Sequence, residues 1–277
     1  MSSPEHVNTL GKCLTKESRN VKQTEPRIIH RNQGKLPFAG RCITVSDKRL
    51  SVVIPAYNEE FQIGATLANL QEYLSEKGFD AEVIVVNDGS KDLTEEIVKR
   101  IGIKCVGYER NRGIGYALRF GAKYASNEFI AFIAADTTDF RVIDDIWACL
   151  GQGADIAQCS KRDPASSLSG FGQSRWFLSN WYNRILRLMF RIPYLDTDSH
   201  YGARRKVLET IGPKCLLTRG GSQAEMIIRA HRSAFRIVEI PIRMIHVKSR
   251  HTNTKLVLAT LLELLRLRLA LWTERSK

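Results

Sequence analysis

The sequence predicts an α/β fold, a doubly wound and mostly parallel sheet with helices on both faces. Between Leu50 and Leu150, apolar runs of strand length alternate with amphipathic segments of helix length, joined by short links. This alternation is typical of parallel strands connected by helical crossovers. The strand-like runs also end in polar turns. Ligands bind outside the carboxyl ends of the strands in such sheets, so we expect the functional site there.

The first half of the chain supports each element by its local pattern. LSVVIPAY and FIAFIAA are continuous apolar runs, typical of strands buried on both faces. The segment that follows Ser90 and Asp92 reads as a helix, with one of these two residues as its N-cap. The predicted elements are strand 50–57, helix 59–76, strand 81–90, helix 92–101, strand 103–107, a helix from the turn NRGIGYA to about Ala125, and strand 129–135.

The second half has a looser pattern. A strand is predicted at 155–160, followed by a Ser/Gly loop and the aromatic, basic helix RWFLSNWYNRILRLMFR. The segment DTDSHYGARRKVLETIG is interpreted as a loop and a helix. Residues 235–245 alternate between apolar and polar side chains, which predicts one half-exposed strand.

The chain falls into three predicted regions. Residues 1–45 are polar and without periodicity, so we expect a disordered or loosely attached basic arm. Residues 46–250 form the predicted domain, with halves at 46–150 and 151–250. In residues 251–277 the leucine-rich stretch is interrupted by one Glu and two Arg. This favours an amphipathic helix at a membrane interface or on a partner over a spanning helix, with packing on its own domain as the alternative.

Charge is unevenly distributed along the chain. Residues 151–277 carry 22 Lys and Arg against nine Asp and Glu, whereas residues 41–150 carry 13 against 17. A basic half indicates an anionic partner such as lipid headgroups or a phosphorylated substrate, although a solvated cationic surface would have the same composition. No nucleic-acid recognition motif accompanies the charge, so nucleic acid is not an expected partner.

Localisation is predicted from two further features. The six cysteines show no CxxC pair or metal-like spacing, which is typical of free thiols in a reducing compartment. The N-terminal segment has no apolar core of the kind found in signal peptides. We therefore expect a cytoplasmic protein that lies peripherally on the cytosolic face of a membrane.

Carboxylates at predicted strand ends suit a nucleotide ligand. A carboxylate accepts hydrogen bonds from a base or ribose, or holds a cation that neutralises a diphosphate. Asp88 in the turn VNDGS is a candidate, although an Asx-turn or helix cap would explain it equally. Glu59 also fits the first turn of a helix. NRGIGYA matches neither the dinucleotide fingerprint nor a Walker loop.

SVVIPAYNEE, VIVVNDGSKDLT, NRGIGYALRFGAKYA and the strand ending in Asp136 together resemble the nucleotide-sugar half of inverting family-two glycosyltransferases of GT-A fold. The resemblance implies that Pro55, Tyr57 and Glu59 line the nucleotide pocket. It also implies that Asp88 holds the base or ribose. Asp136 would be a catalytic residue that faces the metal-bound diphosphate.

The second half resembles dolichol-phosphate mannose synthases and their bacterial polyprenyl-phosphate relatives, on the motifs CSKR, DTDSHYGARRKVLE and SQAEMIIRAHR. The resemblance implies transfer from a GDP-mannose or UDP-glucose type of donor to polyprenyl or dolichyl phosphate. The residues it implies are Arg162 and Arg175 as catalytic phosphate-binding groups, Ser179 one turn after Arg175, Asp198 in the loop that begins at Asp196, Gln223 and Glu225 of the Gln-x-Glu helix, and Lys255.

The resemblance also implies a Mg²⁺ or Mn²⁺ cofactor, held by Asp136 and Thr138. This chain departs from the family's Asp-x-Asp because Ala134 stands where the first Asp would be. Magnesium keeps several waters and often needs only one or two carboxylates plus substrate phosphates. Asp136 alone could therefore suffice, with help from Asp139 if the loop bends back.

Three functions are open from the sequence. The leading one is a polyprenyl-phosphate sugar synthase, for which a membrane surface and a membrane-anchoring subunit are expected partners. An acceptor that is already a phosphate anion needs cations more than a general base, and guanidinium groups meet that need. The alternatives are a family-two enzyme with a non-lipid glycan acceptor and, because of Ala134, a catalytically silent subunit.

Overall fold

The computed structural model describes residues 48–169, 172–245 and 254–274. The predicted arm, residues 1–45, lies outside the described residues. The strands are β1 (Arg49–Ala56), β2 (Asp80–Asn87), β3 (Lys104–Gly107), β4 (Phe129–Phe132), β5 (Ile156–Ser160), β6 (Ser167–Ser169), β7 (Tyr201–Arg204), β8 (Ile237–Pro241) and β9 (Arg243–Ile245). The helices are α1 (Ile63–Glu76), α2 (Thr94–Ile101), α3 (Ile114–Ala122), α4 (Arg141–Gly151), α5 (Gln173–Phe190), α6 (Arg205–Ile211), α7 (Ser222–Arg232) and α8 (Thr254–Thr273).

Seven strands form one sheet in the order β3-β2-β1-β4-β7-β5-β8. All neighbouring pairs are parallel except those made by β7, which runs antiparallel to both β4 and β5. The predicted doubly wound, mostly parallel sheet is therefore confirmed. The carboxyl ends of β1, β2, β4 and β5 meet at one edge, where the start of β7 also lies.

Strand β7 corrects the sequence interpretation, which assigned this segment to a loop and a helix. Its four residues lie in the middle of the sheet, with Tyr201 opposite Phe132 of β4. A Cβ added at Gly202 would be 2.1 Å from Ile146 Cγ2, so glycine lets α4 pack directly on the strand. The strand is too short to show periodicity, and its pairing partners are distant in sequence.

The alternating segment 235–245 is also different from the prediction. It forms two strands instead of one, with Ile242 between them. Strand β8 extends the main sheet by pairing with β5, whereas β9 pairs with β6 in a separate two-stranded sheet. Pro241 has no backbone N–H to donate, which is consistent with its place at the end of β8.

Buried side chains form one cluster on each face of the sheet and a third beside it. The first cluster packs α1 and α4 on one face, and the second packs α3, α6 and α7 on the other. The third joins α5, α7 and α8 through residues such as Leu186, Ile228 and Leu267. The C-terminal helix therefore packs on its own domain along one face. Among the described helices, none has both the length and the apolar character needed to cross a bilayer.

Candidate active site at the strand ends

The loops after β1 and β2 are hydrogen-bonded to each other. The Asn58 N–H donates to Ser90 Oγ (3.1 Å), and the Glu59 N–H donates to Thr94 Oγ1 (2.8 Å). The Glu59 carboxylate accepts from the Gln62 side chain. Tyr57, at the end of β1, leaves much of its ring exposed. The arrangement holds an exposed aromatic side chain at the sheet edge, where a nucleobase could stack on it.

Asp88 is buried and its carboxylate is fully used within the protein. Oδ1 accepts from Tyr108 Oη (2.7 Å) and the Arg112 N–H (2.7 Å), and Oδ2 accepts from Asn111 Nδ2 (3.0 Å) and the Gly113 N–H (3.0 Å). A carboxylate has about four acceptor positions, so this one has none left for a ligand. Burial and the hydrogen bond to Asp88 both raise the pKa of Tyr108. In this arrangement Asp88 shapes the loop before α3, and the contact with a base or ribose that the resemblance implies for it stays a prediction.

The loop that Asp88 holds lines an open cavity of about 480 Å³, formed by Tyr108, Glu109, Arg110, Asn111 and Arg112. The Arg112 guanidinium lies 3.7 Å from the centre of the Tyr116 ring. These exposed cations and half-buried rings were not among the sequence candidates, because NRGIGYA was interpreted through its glycines. The sequence feature that could have indicated this cavity is the pair Arg110 and Arg112, shortly after the end of β3.

The turn after β4 presents Asp136 to solvent. Thr137 stabilises the turn, because its N–H and its hydroxyl both donate to the Ala134 carbonyl, at 3.2 and 2.7 Å. Asp139 is paired with Arg141, whose N–H and Nε donate to Oδ1 at 3.0 and 2.9 Å. Burial alone would raise the pKa of Asp139, but the Arg141 hydrogen bonds lower it overall. In this arrangement the carboxylate of Asp139 is directed to Arg141 and does not support Asp136.

His200 lies behind this turn in one defined tautomer. Thr137 Oγ1 donates its proton to the Ala134 carbonyl, so at 3.2 Å it accepts from His200 Nε2, and Nδ1 is the unprotonated nitrogen. Nδ1 has no hydrogen-bond partner within the described part of the chain. Burial lowers the pKa of His200 to about 4; Lys161 acts in the same direction and Asp136 opposes it. The imidazole is thus neutral at physiological pH.

The donor set at Asp136 fits a divalent cation only when a ligand brings further oxygens. Across residues 48–169, 172–245 and 254–274, no three His, Cys, Asp or Glu side chains come together as a metal cluster. Asp136 offers an exposed carboxylate, and Thr138 is exposed in the same turn. Magnesium sites of this kind are completed by waters and substrate phosphates. The site therefore suits a metal–diphosphate complex better than a free ion.

On the other side of the sheet edge, a buried ion-pair network follows β5. Asp196, which is 0% exposed, accepts from the Lys161 N–H (2.9 Å) and lies 3.0 Å from Arg162 Nη1. Arg162 also donates through Nη2 to Ser179 Oγ (2.7 Å) and through Nε to Asn180 Oδ1 (2.9 Å). Burial lowers the pKa of the Arg162 guanidinium, and Asp196 opposes that shift. The structure thus joins Arg162 and Ser179, two residues that the sequence named without pairing them, and adds Asp196 and Asn180 as their anchors.

The remaining residues predicted for the site in the second half of the chain are Arg175, Lys255, Asp198, Gln223 and Glu225. Arg175 lies on α5 one turn before Ser179, and Lys255 lies in the first turn of α8; their side chains are outside the described atoms. Asp198 is exposed at the sheet edge, and its carbonyl accepts from Lys161 Nζ. Gln223 lines a small cavity beside α3.

Glu225 is hydrogen-bonded within the protein, and the substrate contact that the resemblance implies for it stays a prediction. It is fully buried, and its Oε2 accepts from the N–H groups of Leu216 (2.9 Å) and Leu217 (2.6 Å), while Oε1 accepts from Arg229 Nε (2.8 Å). The loop held in this way accepts from the Gly115 N–H through the Thr218 carbonyl, at 2.9 Å. Glu225 therefore braces the start of α3, close to the loop that Asp88 holds.

Comparisons with known proteins agree with this architecture. The model of Glycosyl transferase family 2 matches residues 51–212. The chain is 30% identical to the uncharacterized protein MJ1222 of Methanocaldococcus jannaschii, over 76% of this chain and 88% of that one. It is 27% identical to a bactoprenol glucosyl transferase of Shigella phage SfV, over 50% of this chain and 45% of that one. The match thus spans less than half of the phage protein.

A solved structure shows the same fold. Glucosyl-3-phosphoglycerate synthase from Mycobacterium tuberculosis, in complex with Mn²⁺, uridine diphosphate and phosphoglyceric acid, superposes with a TM-score of 0.60, at 21% identity and 78% coverage of both chains. The sheet thus has the GT-A fold. The chain belongs to Glycosyl transferase family 2 and is a glycosyltransferase. The resemblance drawn from the sequence motifs is confirmed.

Proposed function

We propose that this glycosyltransferase moves a sugar, with inversion, from a nucleoside diphosphate donor to the phosphate of a polyprenyl or dolichyl lipid. The observation that carries the proposal is the position of α5. One side of this helix holds Arg162 through Ser179 and Asn180, and another side exposes Phe177 and Trp181 to solvent. A buried cation held against one side of a helix whose other side is exposed and apolar suits an acceptor with an anionic head and an apolar tail.

The donor would occupy the first half of the sheet edge. Its base would lie between Tyr57 and the cavity beside Arg112, and its diphosphate would lie at Asp136. A divalent cation there would neutralise the leaving diphosphate. A donor of the UDP-glucose or GDP-mannose type is proposed, and the uridine diphosphate and Mn²⁺ bound by the mycobacterial relative of the same fold support the first of these.

The acceptor phosphate would be held by Arg175 and Ser179, with Arg162 behind them. One of its oxygens would attack the anomeric carbon on the face opposite the diphosphate, and the bond to the diphosphate oxygen would break with its electron pair. A phosphate anion needs no general base for this step, so orientation and charge neutralisation are what the protein contributes. The name of the bactoprenol glucosyl transferase supports a lipid acceptor.

A non-lipid acceptor is the second candidate. The mycobacterial synthase of the same fold holds phosphoglyceric acid, a small phosphorylated acid. The same cations would bind such a molecule, because they recognise the phosphate and not the lipid.

With a lipid acceptor, we propose that the protein acts peripherally on the cytosolic face of a membrane, with an anchoring subunit as a further partner.

The test is a transfer assay with purified protein. UDP-glucose and GDP-mannose are each supplied with Mg²⁺, Mn²⁺ or EDTA, and polyprenyl phosphate is compared with polyprenol and with 3-phosphoglycerate. We expect product only with polyprenyl phosphate and a divalent cation. Asp136→Asn should abolish metal-dependent donor binding in calorimetry. Asp139→Asn is the matched control, because Arg141 already holds that carboxylate.

Three results would contradict the proposal in whole or in part. Glycosylation of 3-phosphoglycerate but not of polyprenyl phosphate would assign the enzyme a non-lipid acceptor. Folded protein that binds neither donor and consumes none would favour a silent subunit. Donor binding that is equally strong in EDTA and unaffected by Asp136→Asn would remove the cation from the mechanism.

A further inference from the structure

Helices α5 and α8 lie side by side. Leu264, Leu267 and Leu271 of α8 are buried in one cluster with Leu186 of α5 and with residues of α7. Near the end of α5, the Met189 carbonyl accepts a hydrogen bond from the Arg268 guanidinium. These contacts use one side of each helix and leave an outer face exposed on each.

The outer face of α8 is apolar. It consists of Leu262, Leu265, Leu269 and Trp272, each between 50% and 67% exposed. At 100° per residue these four side chains span an arc of about 80°. Arg266 and Arg268, both exposed, fall on the two sides of that arc. An apolar arc with basic residues on its flanks is typical of helices that lie in a membrane interface.

The outer face of α5 continues the same pattern. Phe177, Trp181 and Leu188 are between 52% and 74% exposed and follow one side of the helix. Arg184, also exposed, lies close to the same side, and Arg191, also exposed, follows the end of the helix. Single exposed apolar residues are common on protein surfaces. Seven large ones on two adjoining helices instead mark an interaction surface.

The charge on this surface identifies its partner. Helix α5 contains no Asp or Glu. On α8, Glu263 accepts from the Gly221 N–H at 3.0 Å, and just beyond the helix Glu274 pairs with Arg229 at 3.0 Å. The acidic groups in and just beyond α8 are therefore bonded within the protein, whereas Arg184 and Arg266 are exposed. Such a surface attracts anionic headgroups, and tryptophan favours the boundary between headgroups and acyl chains.

We propose that the outer faces of α5 and α8 form a docking surface for an anionic lipid bilayer. The inference deepens the proposed function and rests on it, because α5 carries both the docking face and the Ser179 and Asn180 side chains that hold Arg162. The helices lie in the plane of the interface and do not cross it. The apolar arcs enter the headgroup boundary, and the flanking arginines contact lipid phosphates.

The test is sedimentation of the full chain with vesicles that contain no polyprenyl phosphate, so that binding is measured independently of sugar transfer. Vesicles of phosphatidylcholine are compared with vesicles that also contain phosphatidylglycerol. We expect binding to the anionic vesicles that weakens with salt. Leu265→Ser combined with Leu269→Ser should lower the partition coefficient at least about tenfold. Arg184→Gln with Arg266→Gln should lower it only for the anionic vesicles.

Leu93→Ser is the matched control. Leu93 is 56% exposed, as the α8 leucines are, but it precedes α2 and lies outside the surface. It should bind vesicles like the wild type, and circular dichroism should show all variants folded. The proposal is overturned if the wild type binds no vesicles, or if the α8 variant binds as well as the control. A dimer that Leu265→Ser with Leu269→Ser dissociates would assign the surface to a second copy instead. If the protein transfers sugar to polyprenyl phosphate in detergent but binds no vesicles, the proposed function stands and the proposed docking surface is disproved.

Discussion

Replacing Asp196 by Asn should destabilise the protein strongly. Asp196 is fully buried between two cations, Lys161 and Arg162, whose side chains are only 8% and 12% exposed. Asparagine fills the same space but removes the negative charge, so both cations would remain buried without a counter-charge. Removing one partner of a buried ion pair costs about 3–5 kcal/mol. In a protein of this size the melting temperature would fall by on the order of 10 °C.

Urea unfolding followed by circular dichroism would measure this loss. The comparison is Asp139→Asn, which removes the partner of Arg141, a side chain that is 60% exposed. A pair so close to solvent contributes about 0–1 kcal/mol. The reasoning is refuted if the two variants lose the same free energy of unfolding. A second readout is transfer activity, because Asp196 also orients Arg162 toward Ser179; activity should fall even where Asp196→Asn remains folded.

Two further predictions concern the donor side. The pKa of His200 in the folded protein is about 4, below its ordinary value of about 6.5. Between these two pH values the unfolded state binds a proton that the folded state does not. The folded protein therefore becomes less stable as the pH falls from 6.5 to 4. The free energy of unfolding of the wild type relative to His200→Gln should therefore decrease by up to about 1.4 kcal/mol per pH unit from pH 6.5 to 4; parallel pH profiles would contradict this. Asp88→Asn should loosen the loop from Tyr108 to Gly113, because an amide cannot accept from four donors. We expect uridine diphosphate to bind about tenfold more weakly in calorimetry, and unchanged binding would show that the loop does not depend on Asp88.

Local patterns in the sequence were sufficient to predict most strands and helices in the first half of the fold. The strands that became β1, β2 and β4 are apolar runs ended by polar turns, and their periodicity does not depend on distant partners. The order of these strands along the chain places Tyr57, Asp88 and Asp136 at one edge of the sheet. The motifs around these residues also indicated the family. The residues carried by such motifs therefore lie at the expected edge of the sheet, and their roles toward substrate stay predictions.

The tasks of these residues were decided by contacts between segments far apart in the chain. Asp88 and Glu225 have carboxylates of the kind that bind ligands, yet both are filled by backbone N–H groups of loops folded against them. The pairing of Arg162 with Asp196 brings together positions more than thirty residues apart. Whether a charged side chain contacts a ligand or supports a loop depends on which donors surround it, and a sequence pattern does not specify those neighbours.

The sequence by itself determined the α/β alternation, the strand ends that carry the site and the membership of a glycosyltransferase family, because each follows from local periodicity, turn chemistry or short motifs. Only the tertiary structure decided that Tyr201–Arg204 enters the sheet as an antiparallel strand and that α8 has two apolar faces with different roles. One face packs against the domain and the other remains exposed. The sequence of such a helix shows both apolar faces alike. Which face is core and which is surface depends on the neighbouring elements that cover one of them.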